Sequence, residues 1–135
     1  MPAPAAPRSR RLGHGLLLFS ILGTVAIVAI ADVFNATHLF NPDWPGHARF
    51  HIGMQFTTLV LVSAASLWGL LRLDSPALAA LAPASFWPGL FVAWAIPGTD
   101  VYASEHLRAV GVPINLILAA VFLGLTALGY RLSRR

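Results

Sequence analysis

Four long apolar stretches run along the chain, and short polar segments separate them. The apolar stretches cover residues 12–34, 45–72, 77–96 and 113–130. A helix rises about 1.5 Å per residue, so a stretch of about 20 residues crosses a hydrocarbon core about 30 Å thick. The pattern therefore predicts an all-α protein, a four-helix transmembrane bundle that forms one domain over residues 12–135.

Proline positions predict where these spans begin and where one of them bends. Pro45 and Pro76 lack an N–H, which the first turn of a helix does not need, and so each is expected to open a span. Asp43 and Ser75 precede them and are expected to cap the free amides of the first turn. The third span holds two further prolines, which predict a kink near Trp87.

Charge places the bundle in the membrane. Only 10% of the 135 residues are charged, against about a quarter in an average globular protein, and 57% are hydrophobic. The net charge of +4 comes from arginines at both ends, where residues 1–11 are expected to form a disordered basic tail. Basic residues beside apolar spans favour cytoplasmic placement, so both termini are predicted to be cytoplasmic in a plasma (inner) membrane. The same clusters give no reason to expect nucleic acid as a partner.

The first apolar stretch has a second interpretation. The sequence Arg-Ser-Arg-Arg at residues 8–11, the apolar run and Ala29-Ile30-Ala31 also fit a secretory signal that is cleaved before Asp32. The run is longer than the usual apolar region of a signal peptide, which favours a membrane span. The N-terminal mass of the mature protein distinguishes the two.

The polar groups gather in two segments, residues 32–51 and 99–108. With four spans, both segments emerge on the side opposite the termini, which the charge pattern makes the outer side. They hold four of the five acidic residues and four of the five histidines. We therefore expect a polar pocket at the outer leaflet, roofed by these two segments.

Helical spacing predicts which side chains share this pocket. His47, His51 and Gln55 are each four residues apart and form one stripe on a helix. Asp32 at the end of the first span should face the bundle, with His47, His51 or Arg49 as its partner, because a carboxylate facing lipid is costly. Since free imidazole titrates near neutrality, we take Asp32 and His51 as an acid–base pair, with His47 and Arg49 holding charge.

The pocket so predicted fits an enzyme that acts by proton transfer, without a cofactor, on a lipophilic small molecule from the lipid bilayer. Seven residues are expected to shape the substrate site: Asn35, His38, Asn41, Trp44, Gln55, Trp87 and Glu105. Two alternatives stay open. One is a metal-binding oxidoreductase in which His38, His47 and His51 hold a divalent transition metal. The other is a non-catalytic accessory subunit of a transporter or redox complex. Glycines in the first and last spans allow close packing and so a homodimer.

Residues 37–51, Thr-His-Leu-Phe-Asn-Pro-Asp-Trp-Pro-Gly-His-Ala-Arg-Phe-His, resemble the signature of a family of small four-span microbial membrane proteins of unassigned function. The resemblance implies that one shared feature contains His38, Asn41, Trp44, His47, Arg49 and His51. In architecture alone, the predicted bundle is also similar to the emopamil-binding sterol isomerases and small membrane terpene cyclases. That likeness implies an isomerase-like or cyclase-like activity, although no motif of theirs is found here.

Overall fold

The structure, a computed structural model, describes residues 7–102 and 104–134, and this part of the chain is helical with no strand. The α-helices are α1 (Arg8–Val28), α2 (Gly46–Leu71), α3 (Pro76–Phe86), α4 (Pro88–Trp94), α5 (Glu105–Val110) and α6 (Ile114–Ser133). One turn of π-helix, Ala29–Val33, extends α1. Four segments are long and apolar enough to cross a membrane: Arg8–Val33, Gly46–Leu71, Pro76–Trp94 and Ile114–Ser133. The predicted four-span helical membrane bundle is confirmed at this level.

One helix begins earlier than predicted, and one short helix was not predicted. α1 begins at Arg8, so the basic residues placed in a disordered tail form its first turn, whereas residues 1–6 lie outside the described part. The polar segment 99–108 was expected to be a loop, but the short helix α5 begins within it and runs on to Val110. Ser104 caps α5 by accepting a hydrogen bond from the Leu107 amide, and Gly111 ends it with a φ of 69°. Serine before a helix and glycine after it are the local sequence signals of such ends.

Two of the three proline predictions are confirmed. Ser75 caps α3, and Pro76 is its first residue. The third span breaks at Trp87, between α3 and α4. Pro45, however, precedes α2 as its N-cap, and no side chain caps that helix. The prediction that Asp43 caps α2 is therefore wrong. The backbone amide of Asp43 donates to the Asn41 side chain, and this bond shapes the turn before the helix.

The bundle core has two layers of buried side chains. One joins Leu17 and Ile21 of α1 to Leu70 of α2 and Ala79 of α3. The other is formed by Trp87, Ala119 and Phe122. Trp87 also donates from Nε1 to Thr24 Oγ1 at 2.8 Å, which ties the α3–α4 break to α1. This bond satisfies the only polar atom of the indole within the bundle.

The start of α1 and the end of α6 lie side by side. The carbonyl oxygen of Gly13 is so close to Gly129 that a Cβ there would lie 3.1 Å from it. Arg10 forms an ion pair with Asp74 in the α2–α3 connection, and His14 Nε2 lies 3.3 Å from the same carboxylate. Both ends of the described chain and this connection therefore occupy one end of the bundle, which leaves the polar segments at the other.

Candidate functional site

The site is built on the π-helical turn that ends the first span. Phe34 donates its amide to the Ala29 carbonyl, five residues back, at 2.7 Å. A π-turn of this kind is rare and often marks a functional position. The chain then folds back, because the Leu39 amide bonds the Asp32 carbonyl at 3.0 Å. This fold brings the side chain of residue 38 to the carboxylate of Asp32.

His38 is held by two groups at one ring nitrogen. Its Nδ1 lies 2.7 Å from Thr37 Oγ1 and 3.6 Å from Asp32 Oδ1. The imidazole and the Trp44 indole form a T-shaped pair, with the ring centroids 5.2 Å apart. The side chains of His38 and Asp32 are each 26% exposed, so the pair is neither in open water nor sealed in the core.

A chain of hydrogen bonds positions Thr37 behind this imidazole. The side-chain amide of Asn35 donates to the Ile30 and Ala31 carbonyls, which orients it. Its Oδ1 accepts from the Thr37 amide at 2.7 Å and from the Thr37 hydroxyl. The Thr37 hydroxyl donates to Asn35 Oδ1, with the Ala31 carbonyl 3.3 Å away as a second acceptor. Its oxygen lone pairs can then accept from His38 in the tautomer that carries a proton on Nδ1.

His38 lies in the wall of a cleft of about 500 Å³ between the two polar segments. The first segment contributes residues 36–38 and 41–44, including Asn41, Asp43 and Trp44. Across the cleft lie Asp100, Val101 and Tyr102, with Asn115 at the start of α6. The prediction that the two segments meet at one end of the bundle is thus confirmed by their shared cleft.

The far wall of the cleft is held together by its own polar contacts. Asp100 accepts a hydrogen bond from the Tyr102 amide at 3.1 Å and forms an ion pair with Arg108. The guanidinium of Arg108 also lies over the Tyr102 ring, 5.7 Å from its centroid. Asn115 donates to the Val101 carbonyl at 3.2 Å, which fixes this segment to α6.

The partner of Asp32 differs from the predicted one. Its nearest charged or titratable neighbour is His38, whose Nδ1 lies 3.6 Å from Asp32 Oδ1, whereas His51 contacts His47 with their Nε2 atoms 3.0 Å apart. Both of these histidines are exposed, and so is Gln55, the third residue of their stripe. The spacing correctly gave one shared face, but that face points out of the bundle. The inward face of α2 is offset from it and carries Leu59, Ser63, Ser66, Gly69 and Leu70.

Three other residues of the predicted substrate site have different surroundings. Trp87 is 2% exposed and belongs to the core. Glu105 lies on α5 with its side chain 89% exposed and 3.4 Å from Arg108. Asn35 organises the turn through the backbone contacts described above. Only His38, Asn41 and Trp44 of the seven line the cleft.

Arg49 lies apart from the cleft, in a shallow groove of about 760 Å³ along α2. Its Nε atom is buried and has no hydrogen-bond partner among the described residues. The predicted role of Arg49 as a partner of Asp32 is therefore not what the structure shows.

The three histidines proposed as metal ligands are divided between two places. His38 lies in the cleft with Asp32, and His47 and His51 form a separate pair on α2. Over residues 7–102 and 104–134, no group of three or more histidines and acids is close enough to hold a metal ion. The chain also has no cysteine.

Several residues that line the cleft were not predicted as site residues, above all Thr37, Asp100, Tyr102 and Asn115. Asn115 had a usable signal, because it is the one polar residue at the start of an otherwise apolar span. Thr37 had none, since its role depends on a turn that only the folded chain displays.

Comparisons of the chain with protein-family models, with curated proteins and with solved structures each find no match. The resemblance of residues 37–51 to a four-span family therefore stays a prediction.

Proposed function

We propose that this membrane protein is an enzyme that transfers a proton on a lipophilic small molecule, with His38 as the acid–base group. The observation that carries the proposal is the contact of His38 Nδ1 with Thr37 Oγ1 and Asp32 Oδ1. Because the Thr37 proton is given to Asn35, the threonine oxygen accepts from Nδ1–H. The Nε2 atom is then the basic nitrogen that is left to react.

Asp32 supports this role from behind the ring. A carboxylate near Nδ1 favours the tautomer with its proton on Nδ1 and stabilises the imidazolium that forms when Nε2 takes up a proton. Asp32 itself is absent from the cleft lining, so it acts through His38. We therefore assign His38 to proton transfer, and Asp32 and Thr37 to positioning.

The cleft favours a substrate with one polar end. Its wall includes the carboxylate of Asp43 and the indole of Trp44, together with Asp100, Asn41 and Asn115, whose side chains also make the contacts that hold the wall. These groups can orient hydroxyl or amine groups beside His38, and the apolar remainder of the molecule extends into the bilayer. Isomerisation or cyclisation of a lipid-like molecule needs only the proton transfer that this site offers.

We place the cleft at the outer leaflet of the plasma membrane. The opposite end of the bundle contains Arg8, Arg10, Arg11, Arg72, Arg131 and Arg134, whereas Arg49 and Arg108 lie at the cleft end. An excess of arginine marks the cytoplasmic side. The termini are therefore assigned to the cytoplasm.

Solvent deuterium tests this function without knowledge of the substrate. The protein is incubated in nanodiscs that contain total lipid extract from the membrane of its host, in deuterated water, and the lipids are analysed by chromatography and mass spectrometry. We expect one lipid to gain a single deuterium. His38→Asn should slow the gain at least about 100-fold, the low end of general acid–base contributions.

Matched variants separate chemistry from folding. His106→Asn alters a histidine of α5 outside the cleft lining and should leave the rate unchanged. Thr37→Val should slow exchange and Thr37→Ser should restore it, because serine keeps the hydroxyl that contacts Nδ1 and valine does not. Exchange that continues at the wild-type rate in His38→Asn would refute the proposal.

A metal-binding role is a second candidate, favoured by the pair His47 and His51. Their Nε2 atoms, 3.0 Å apart, can both reach one ion at about 2.0–2.1 Å. The pair supplies two ligands, and a second copy of the chain could supply two more.

Protein purified without a histidine tag should bind Cu²⁺ with a nitrogen-coupled paramagnetic resonance signal. The signal should persist in His38→Asn and vanish in His47→Asn; its persistence in His47→Asn would exclude this candidate.

A further inference from the structure

The groove beside Arg49 differs in chemistry from the cleft. Its wall is mostly apolar and is formed by Leu39, Phe40, Gly46, Phe50, Gly53, Met54, Thr57 and Thr58. Thr57 donates its hydroxyl to the Gly53 carbonyl at 2.9 Å, which leaves little unsatisfied polarity there. Phe40, Phe50 and Met54 are 62%, 64% and 52% exposed, so no part of the described chain covers the groove.

The groove has one charged group, the Arg49 guanidinium. Within the described chain no carboxylate lies at ion-pair distance from it. Its Nε atom is buried, and none of residues 7–102 and 104–134 gives it a hydrogen-bond partner. Arg49 as a whole is half-buried, and a guanidinium that borders an apolar wall with its Nε shielded from water favours an anionic partner.

The length of the groove matches one leaflet of a bilayer. From Gly46 to Thr58 it follows α2 for about 18 Å, and half of the hydrocarbon core is about 15 Å thick. Arg49 lies near the start of the span, where a lipid headgroup would be. Gly53 leaves the middle of the groove open, because a Cβ there would have only Leu39 within 4 Å, at 3.9 Å.

From this charge complementarity we propose that the groove binds one anionic phospholipid, with an acyl chain along α2 and the phosphate on Arg49. The groove lining has no acidic residue to receive the ammonium of a zwitterionic headgroup. It should therefore prefer a lipid with net negative charge. This site is separate from the cleft and does not depend on the proposed proton transfer.

Native mass spectrometry of the full chain tests the proposal with phosphatidylglycerol and phosphatidylcholine that have the same acyl chains. We expect phosphatidylglycerol to bind more tightly. Arg49→Gln should weaken its binding about fivefold, the equivalent of roughly 1 kcal/mol per basic residue near a membrane surface. Arg49→Lys should keep the preference, and Arg108→Gln, which removes a cation outside the groove lining, should keep it as well.

Gly53→Leu tests the apolar half of the site, since a leucine should fill the groove and weaken both lipids. Each variant is taken as folded when its elution volume in size-exclusion chromatography and its helicity are unchanged. If Gly53→Leu does not fold, Arg49→Gln alone tests the proposed lipid site. The proposal is overturned if Arg49→Gln leaves the lipid preference intact. It is also overturned if Arg108→Gln reduces the preference equally, because the effect would then be general surface charge, or if a dimer covers the groove in lipid-free protein.

Discussion

The hydrogen bond between Trp87 and Thr24 should couple the α3–α4 break to α1 in a measurable way. The bond joins residues 63 positions apart, and the two side chains are 2% and 0% exposed. Thr24→Val keeps the shape but leaves the indole N–H buried without an acceptor. Such a group costs about 1–3 kcal/mol in soluble proteins, and bonds between membrane helices average about 0.6 kcal/mol with a maximum near 1.7. We expect Thr24→Val to lower the free energy of unfolding by about 1 kcal/mol.

A double-mutant cycle isolates this bond from other effects of the substitutions. Trp87→Phe should cost more than Thr24→Val, since it also leaves a cavity beside Phe122, whose ring centroid is 4.9 Å from that of Trp87. The double variant should recover about 0.6–1.7 kcal/mol relative to the sum of the single costs. The measurement is helicity during unfolding by sodium dodecyl sulfate in mixed micelles.

Thr126 offers a matched control for the Thr24 substitution. Both threonines are buried and donate to the carbonyl four residues back, Thr24 to Ser20 at 2.6 Å and Thr126 to Phe122 at 2.7 Å. Within the described chain, the Thr126 hydroxyl makes no hydrogen bond to another helix. Thr126→Val should therefore cost under about 0.5 kcal/mol, because such bonds within a helix add little. Equal costs for the two variants and a coupling near zero would refute the reasoning.

Three further predictions test the two ends of the bundle. Gly13→Ala should destabilise the fold by about 1–3 kcal/mol, since its Cβ would lie 2.5 Å from the Ser133 hydroxyl. Gly15→Ala is the control in the same unfolding assay: its Cβ would meet no heavy atom within 4 Å, so it should be neutral or slightly stabilising. Asp74→Asn should lower the free energy of unfolding by under about 1 kcal/mol, with a smaller loss at high salt, because the carboxylate is 55% exposed; a salt-independent loss would contradict an ion pair. Single cysteines at positions 43 and 105 should react with an impermeant maleimide from one side of the membrane, and one at position 74 from the other; labelling of positions 43 and 105 from opposite sides would exclude a shared cleft.

The membrane-spanning fold could be predicted from sequence because it depends on quantities that are local to each segment. Length and hydrophobicity decide whether a helix spans the bilayer, and proline chemistry placed the start of α3 and the break at Trp87. The meeting of the two polar segments followed from counting the spans. None of these inferences requires knowing which side chains touch.

The site could be predicted only as a region, because the rotation of a helix about its axis is set by tertiary packing. The spacing of His47 and His51 predicted one shared face, on which the two imidazoles prove to be in contact. Which face of α2 turns inward depends on how the helix packs against α1 and α3. The partner of Asp32 depended on a still finer feature. A π-turn and one backbone bond from Leu39 bring His38 to the carboxylate, and neither leaves a periodic signal in the sequence.

The first polar segment borders both the cleft and the groove, which the sequence pattern did not predict. Residues 37 and 38 lie on the cleft side of the first segment, whereas residues 39 and 40 line the groove on α2. One short turn thus separates a histidine that is held by a carboxylate from an arginine that faces apolar surface. A polar cleft for proton transfer and an apolar groove for a lipid can coexist because this turn forms a wall of each. Substitutions at His38 should accordingly change deuterium exchange without changing lipid preference, and substitutions at Arg49 should do the reverse.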